Sequence, residues 1–208
     1  MIVYACRVVL LACLAVCIVI SSSQAQEPKK GRERGQAAPG KEPPRPPKVG
    51  DLAPDIELKN EKGELVSLKK LTSEHAVVLL VLRGWPGYQC PICSRQVSEF
   101  MAKKAELEKA GAHVLMVYPG PADKLGEHAR EFAMQGKWEF PSNFHYVTDP
   151  EYKFTNDWGL RWEAERETAY PSTIIIGKDR KVAYLITSTS HGGRAGVAAV
   201  LDELAKLK

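Results

Sequence analysis

The chain has 208 residues, with 29 Lys and Arg against 25 Asp and Glu, a net charge of +4. Residues 26–48 hold seven Lys/Arg against three Glu and Arg7 adds one more, which leaves residues 49–208 near −1. A nucleic-acid role through a basic folded face therefore loses its support, because the positive surplus lies outside the stretch able to form such a face.

Residues 1–25 read as a secretory signal: Arg7 is the positive start, residues 8–20 are an uncharged apolar run, and residues 21–26 are small and polar. The 13-residue run falls short of the roughly 20 that a membrane-spanning helix needs. Cleavage is expected after Ala25, with Ser23 at the small position before it. A lipid-attachment reading at Cys13 leaves too little apolar sequence ahead of that cysteine. The expected location is exported, periplasmic or secreted, with no membrane span in the mature form.

Residues 26–48 follow as a tether, disordered or polyproline-like. They contain Pro28, Pro39, Pro43, Pro44, Pro46 and Pro47, six of the chain's fourteen prolines, among charged residues and glycines without apolar periodicity. Residues 49–208 are one domain's worth of chain. Cys6, Cys13 and Cys17 lie in the segment expected to be removed, so Cys90 and Cys93 are left. A pair two residues apart cannot staple distant parts of a fold, and its work is expected to be local.

Along the domain, residues 56–68 suggest a β-hairpin around Asn60-Glu61-Lys62-Gly63. The unbroken run Val77-Val78-Leu79-Leu80-Val81-Leu82 predicts a strand covered on both faces. A turn-rich loop leads to Cys90, after which Val97, Phe100, Met101 and Leu107 recur at helical spacing up to Gly111. Residues 113–118 read as a second buried strand ended by Pro119-Gly120-Pro121, and residues 122–135 as a helix stopped by Gly136. A less regular stretch carries Trp138, Phe140, Phe144, Trp158 and Trp162, with the tryptophans expected mostly in the core. Then come a strand over residues 173–176, a turn at residues 177–180, a strand over residues 181–187 and a helix from Ala195 to Leu207. The order implies an α/β fold with a mixed central sheet, parallel crossovers and an antiparallel edge.

Cys90 falls where the exit loop of a buried strand meets a helix start. Unpaired amide hydrogens and the positive end of the helix dipole favour a thiolate there, and Pro91 suits the first helical position. The spacing makes one cysteine a nucleophile and the other its resolver. Half of a zinc site is the competing reading. It lacks a second cysteine pair, and His75, His113, His128, His145 and His191 look scattered, so no metal and no cofactor is expected. Tyr170-Pro171 opens a strand, with its peptide bond trans or cis. Arg83 reads equally as a thiolate-favouring cation and as a solvated loop residue. Trp85 and Tyr88 read equally as the lip of a substrate groove and as packing.

Val49-Gly50-Asp51-Leu52-Ala53-Pro54-Asp55 with Leu58, Gly63 and Leu68, then Arg83-Gly84, Cys90-Pro91-Ile92-Cys93 and Gln96, resemble the alkyl hydroperoxide reductase/thiol-specific antioxidant (AhpC/TSA) family, in its peroxiredoxin-like branch. The resemblance runs from about Val49 to the end of the chain. It implies a thioredoxin-like three-layer fold, a nucleophilic Cys90, a resolving Cys93, and a Tyr170-Pro171 bond like the cis-proline that faces the cysteines in thioredoxins. Peroxiredoxins proper carry Thr or Ser three residues before the reactive cysteine and Pro seven before; here those positions are Gly87 and Arg83. The leading expectation is therefore thiol–disulfide exchange with a protein or small-molecule disulfide or thiol partner. Thiol-dependent peroxide reduction is the alternative. A non-catalytic thiolate carrier of a metal such as Cu(I), or a redox-dependent binding module, is the second alternative.

Overall fold

The computed structural model describes residues 45–207, so the expected signal segment and most of the tether lie outside the described residues. Residues 45–48 touch the domain expected from Val49. Pro47 is buried, Arg45 Nη1 meets Asp51 Oδ2 at 3.0 Å, and the backbone of Arg45 and Pro46 leaves no room for a Cβ on Gly159.

The predicted hairpin forms from β1 (Glu57–Lys59) and β2 (Leu65–Ser67), paired antiparallel with Leu58 opposite Val66. Ser67 then caps a short helix that the sequence reading did not foresee, α1 (Leu68–Thr72), by accepting the Lys70 N–H. The buried run becomes β3 (Ala76–Val81). Beyond Cys90 the single expected helix is two: α2 (Pro91–Ala102) and α3 (Lys104–Lys109), broken at Lys103. The buried stripe Cys93, Val97, Phe100 would continue onto Lys103 and Lys104, which cannot enter the core, and the chain turns there to bury Leu107.

Next comes β4 (Ala112–Gly120), which runs on through Pro119 and Gly120 rather than ending before them. Pro119 lacks only an N–H, and β3 has already left the ladder after Val81 opposite Val117. The Pro119 carbonyl is free to accept from the Trp85 N–H at 2.9 Å. The helix α4 (Leu125–Gly136) closes on Lys137 in the left-handed region, φ 52°. The stretch expected to be irregular holds β5 (Phe144–Pro150) and α5 (Lys153–Asp157). The strands β6 (Ser172–Ile176) and β7 (Val182–Thr187) and the helix α6 (Val197–Ala205) match expectation.

The five-stranded sheet has the order β5-β4-β3-β6-β7, parallel on the β5–β4–β3 side and antiparallel through β6 and β7. One face packs Val78, Leu80 and Met116 against Val97 and Phe100 of α2, Phe132 of α4 and Val200 of α6. The other packs Val77, Leu79 and Val117 against Leu68, Phe154 and Trp158. Burial on both faces explains why β3 reads as continuous apolar sequence. Three layers result, and the parallel strands point their C-terminal ends at the loop that carries Cys90.

Candidate active site at the Cys90–Cys93 pair

The loop leaving β3 is tied to β4. Leu82 N donates to Val117 O at 3.0 Å, and Gly84, at φ +63°, lies so close to the Pro119 carbonyl that no side chain fits there. The loop thereby delivers Cys90 to the start of α2 as its N-cap residue. Cys90 Sγ accepts the Cys93 N–H at 3.3 Å, as a Ser or Asp oxygen would, and Pro91 occupies the first helical turn.

Both cysteines are free thiols, 2% and 1% exposed. The Cys93 thiol and amide donate to Cys90 and, with the charges of Arg194 and Arg83, overcome burial to pull the Cys90 thiol down to about 5. Burial first, and then its own bond to Cys90, pushes the Cys93 thiol well up. The pair is thus split into a thiolate and a thiol by its surroundings. Cys93 Sγ also accepts from Arg83 N and from Arg194 Nη2, each at 3.3 Å.

Arg83 is not the solvated loop residue that was one of its two readings. Its side chain is 2% exposed, its Nη2 lies 2.8 Å from Glu167 Oε2, its Nη1 donates to the Tyr88 hydroxyl at 2.6 Å, and its Nη2 donates to Arg166 O at 3.0 Å. Glu167 pairs with that charge and also meets His191 Nε2 at 2.7 Å. The direct gift of Arg83 to the pair is its backbone N–H. Tyr88 is 42% exposed but its hydroxyl is held by Arg83, while Trp85 is half-buried and stacks on His128 with centroids 3.6 Å apart.

The Tyr170-Pro171 bond is trans, which corrects the likeness to a cis-proline. Ser172 pairs with Val81, so Pro171 does reach the cysteine end of the sheet. Its carbonyl accepts from Ser188 N at 2.9 Å, and Tyr170 stacks on Trp162. Among the tryptophans, Trp158 is core, whereas Trp138 and Trp162 are half-buried.

Sequence reading missed Arg194, Glu167 and His191. Arg194 follows Gly192-Gly193 in the loop between β7 and α6, with no local motif; its Nη1 donates to Gln96 Oε1 at 2.8 Å, and Gln96 Nε2 donates to Thr173 Oγ1 at 3.1 Å. These groups come from four separate stretches of chain and meet only through the sheet.

The histidines are not all scattered. His75, just ahead of β3, His113 of β4 and His145 of β5 stand side by side at the opposite end of the sheet. His75 and His113 stack at 3.8 Å, and His113 Nδ1 lies 2.9 Å from His145 Nε2. A cavity of about 340 Å³ opens beside them, lined also by Glu64, Lys70 and Glu74. Among the described residues no group of three or more His, Cys, Asp or Glu side chains is arranged to hold a metal ion. Burial, aided by the charges of His75 and His145, lowers His113 to about 4, and His145 is lowered for the same leading reason.

The unfolded chain therefore binds protons that the fold refuses between about pH 6.5 and 4, and stability falls as pH drops through that window. After discounting for solvent screening, the loss is expected to be about 1–2 kcal/mol. Urea unfolding across this range should show a shallower pH slope in His113→Phe than in the parent; equal slopes would remove the triad as the cause.

The model of the AhpC/TSA family matches residues 49–185. The chain belongs to this family. It is 26% identical to Peroxiredoxin Bcp of Escherichia coli (strain K12) over 155 residues, covering 70% of this chain and 92% of that protein. It is also 26% identical to the chloroplastic Peroxiredoxin Q of Oryza sativa subsp. japonica over 136 residues, covering 65% of this chain and 57% of that one. The chain thus spans under two thirds of the length of that plant relative. The fold of this AhpC/TSA chain resembles the crystal structure of Peroxidoxin BcpB from Mycobacterium tuberculosis, with a TM-score of 0.61 and 22% identity, covering 78% of this chain and 99% of that one. The thioredoxin-like expectation for the sheet holds.

Proposed function

We propose that this AhpC/TSA chain is a thiol-dependent peroxidase. The observation that carries the reading is a Cys90 thiolate held at the N-cap of α2, beside a protonated Cys93, in a site where neither cysteine is more than 2% exposed. The Cys90 thiolate attacks one peroxide oxygen, the O–O bond breaks, and the other oxygen leaves as hydroxide or alkoxide and takes a proton. The resulting Cys90 sulfenic acid condenses with the Cys93 thiol, releasing water and leaving a Cys90–Cys93 disulfide for an external thiol to reduce.

Disulfide exchange, the leading expectation from sequence, uses the same two cysteines and gives the same final bond. The burial of both sulfurs favours a small oxidant over a protein disulfide, and the relatives named above are peroxiredoxins. Gly87 still leaves the site without the hydroxyl that peroxiredoxins proper place near the peroxide.

Ionisation alone does not make the thiolate fast. At pH 7 a pKa of about 5 gives roughly 30 times more thiolate than a pKa near 8.5, but the nucleophilicity lost with basicity offsets about as much. A large rate thus requires donors that stabilise the departing oxygen. Stopped-flow mixing of reduced protein with hydrogen peroxide is expected to oxidise Cys90 at least about 100-fold faster than free cysteine, a reasonable share of what positioned donors supply in enzymes. A rate equal to that of free cysteine would reject peroxidase activity and return the assignment to disulfide exchange.

Export is part of the proposal and rests on the charge and apolar pattern of residues 7–26. N-terminal sequencing of protein recovered from cells should begin at Gln26; an intact Met1 would refute it.

A further inference from the structure

Once Cys90 has been oxidised, Cys93 must attack it, yet Cys93 is poorly suited to do so alone. It is 1% exposed, and burial holds its thiol protonated. No carboxylate or imidazole hydrogen-bonds to it among the described residues; its partners are the Cys90 sulfur, the Arg83 N–H and one guanidinium nitrogen of Arg194.

The guanidinium is fixed from three sides. Its Nη2 reaches Cys93 Sγ at 3.3 Å, its Nη1 donates to Gln96 Oε1 at 2.8 Å, and its Nε donates to His191 O at 3.2 Å. Gln96, one turn beyond Cys93 on α2 and 5% exposed, is in turn anchored by its amide to Thr173 Oγ1 on β6. A planar fork held this way keeps its orientation while charge develops on the sulfur it faces.

We propose that Arg194 is the catalytic residue of the second, disulfide-forming step, and that Gln96 positions it. The inference rests on the two-cysteine cycle proposed above. As Cys93 attacks, its S–H bond breaks and an S–S bond forms while the Cys90 S–O bond breaks. The thiol proton leaves with the hydroxyl as water; the Cys90 sulfur is reduced and the Cys93 sulfur oxidised. Arg194 stabilises the negative charge that Cys93 carries as its proton departs. This is the one cation in direct contact with either sulfur among the described residues.

The test separates the two steps in single turnover at pH 8, where Cys90 is ionised with or without a neighbouring cation. Reduced protein is mixed with hydrogen peroxide. Sulfenic acid is counted by dimedone trapping and disulfide by loss of free thiols, in the parent and in Arg194→Gln, Arg194→Lys and Gln96→Met. In Arg194→Gln, formation of the sulfenic acid should change less than about threefold, whereas disulfide formation slows at least about tenfold and its pH profile moves to higher pH. Arg194→Lys should recover part of that loss, and Gln96→Met, which keeps the charge but frees the fork, should slow the same step by a smaller factor.

Equal slowing of both steps, or an unmoved pH profile, would overturn the proposal. If the parent forms no sulfenic acid, the peroxidase reading fails, and an aromatic disulfide replaces peroxide as the oxidant. Attack of Cys93 on the mixed disulfide at Cys90 then releases a second coloured thiolate. Arg194→Gln must slow that release for the role of Arg194 to stand.

Discussion

Cys90→Ser is expected to abolish peroxide consumption, while Cys93→Ser keeps the first oxidation and loses the disulfide. The asymmetry follows from the surroundings of the two sulfurs: Cys90 is pulled down to about 5 chiefly by the Cys93 thiol, and Cys93 is pushed up by burial. The Cys93 thiol is the largest of those stabilising donors, so Cys93→Ala, which leaves no donor there, should raise the Cys90 pKa, and the absorbance of its thiolate should titrate at higher pH, whereas the hydroxyl of Cys93→Ser still donates. In the parent, the rate of Cys90 oxidation should rise through about pH 5 and level off above about pH 6 as the thiolate fills. Loss of Cys90 should cost a factor of about 1,000 or more, since the one other thiol among the described residues, Cys93, is buried and held protonated. Retention of full activity in Cys90→Ser, or identical behaviour of the two variants, would break the assignment of nucleophile and resolver.

Gly84→Ala is expected to be the most damaging conservative change in the loop that presents Cys90. The residue sits at φ +63°, where an added Cβ costs about 1–2 kcal/mol, and that Cβ would fall on the Pro119 carbonyl. The carbonyl cannot swing aside freely, because it accepts the Trp85 N–H and belongs to β4, flanked by β5. Forced separation of the loop from the strand adds about 1–3 kcal/mol. The sum of about 2–5 kcal/mol is a large part of the net stability of an ordinary domain and corresponds to a fall in Tm of roughly 5–15 °C. Calorimetry reads it directly. A Tm within 2 °C of the parent would mean that the loop yields without cost. A stable variant with normal Cys90 oxidation would further show that the loop is not what aims the cysteine.

The acid sensitivity attributed to the histidine row is independent of both effects. It arises at the end of the sheet opposite the cysteines, and Cys90 adds a slope of its own, because its thiol titrates at about 5 in the fold against about 8.5 unfolded: Cys90→Ser should flatten the pH slope of stability above about pH 5 and leave the His113 share in place.

Local chemistry explains which features were legible before the fold was known. The β1–β2 hairpin announced itself through Gly63 and its polar neighbours, and β3 through six consecutive apolar residues, because a strand buried on both faces needs no alternation. The helix after Cys90 was marked by Pro91 and by the spacing of Val97 and Phe100. β5 was not legible. It is an edge strand in which buried Phe144 and Tyr146 alternate with half-buried His145, a weak pattern, and what makes it a strand is its ladder with β4. The trans bond at Tyr170-Pro171 was likewise undecided, since either isomer suits an X-Pro pair until tertiary contacts choose.

The sequence by itself determined that Cys90 and Cys93 would share the first turn of a helix behind a buried strand, because a proline-led N-terminus, a two-residue spacing and an unbroken apolar run all act over a few residues. Only the tertiary structure decided what surrounds them. The Arg194 guanidinium comes from more than 100 residues beyond Cys90, Arg83 is held by Glu167 from 84 residues away, and three histidines far apart in the chain stand side by side. Such contacts have no local signature: they are set by the register of parallel strands joined through long crossovers, and that register is fixed by burial over the whole sheet.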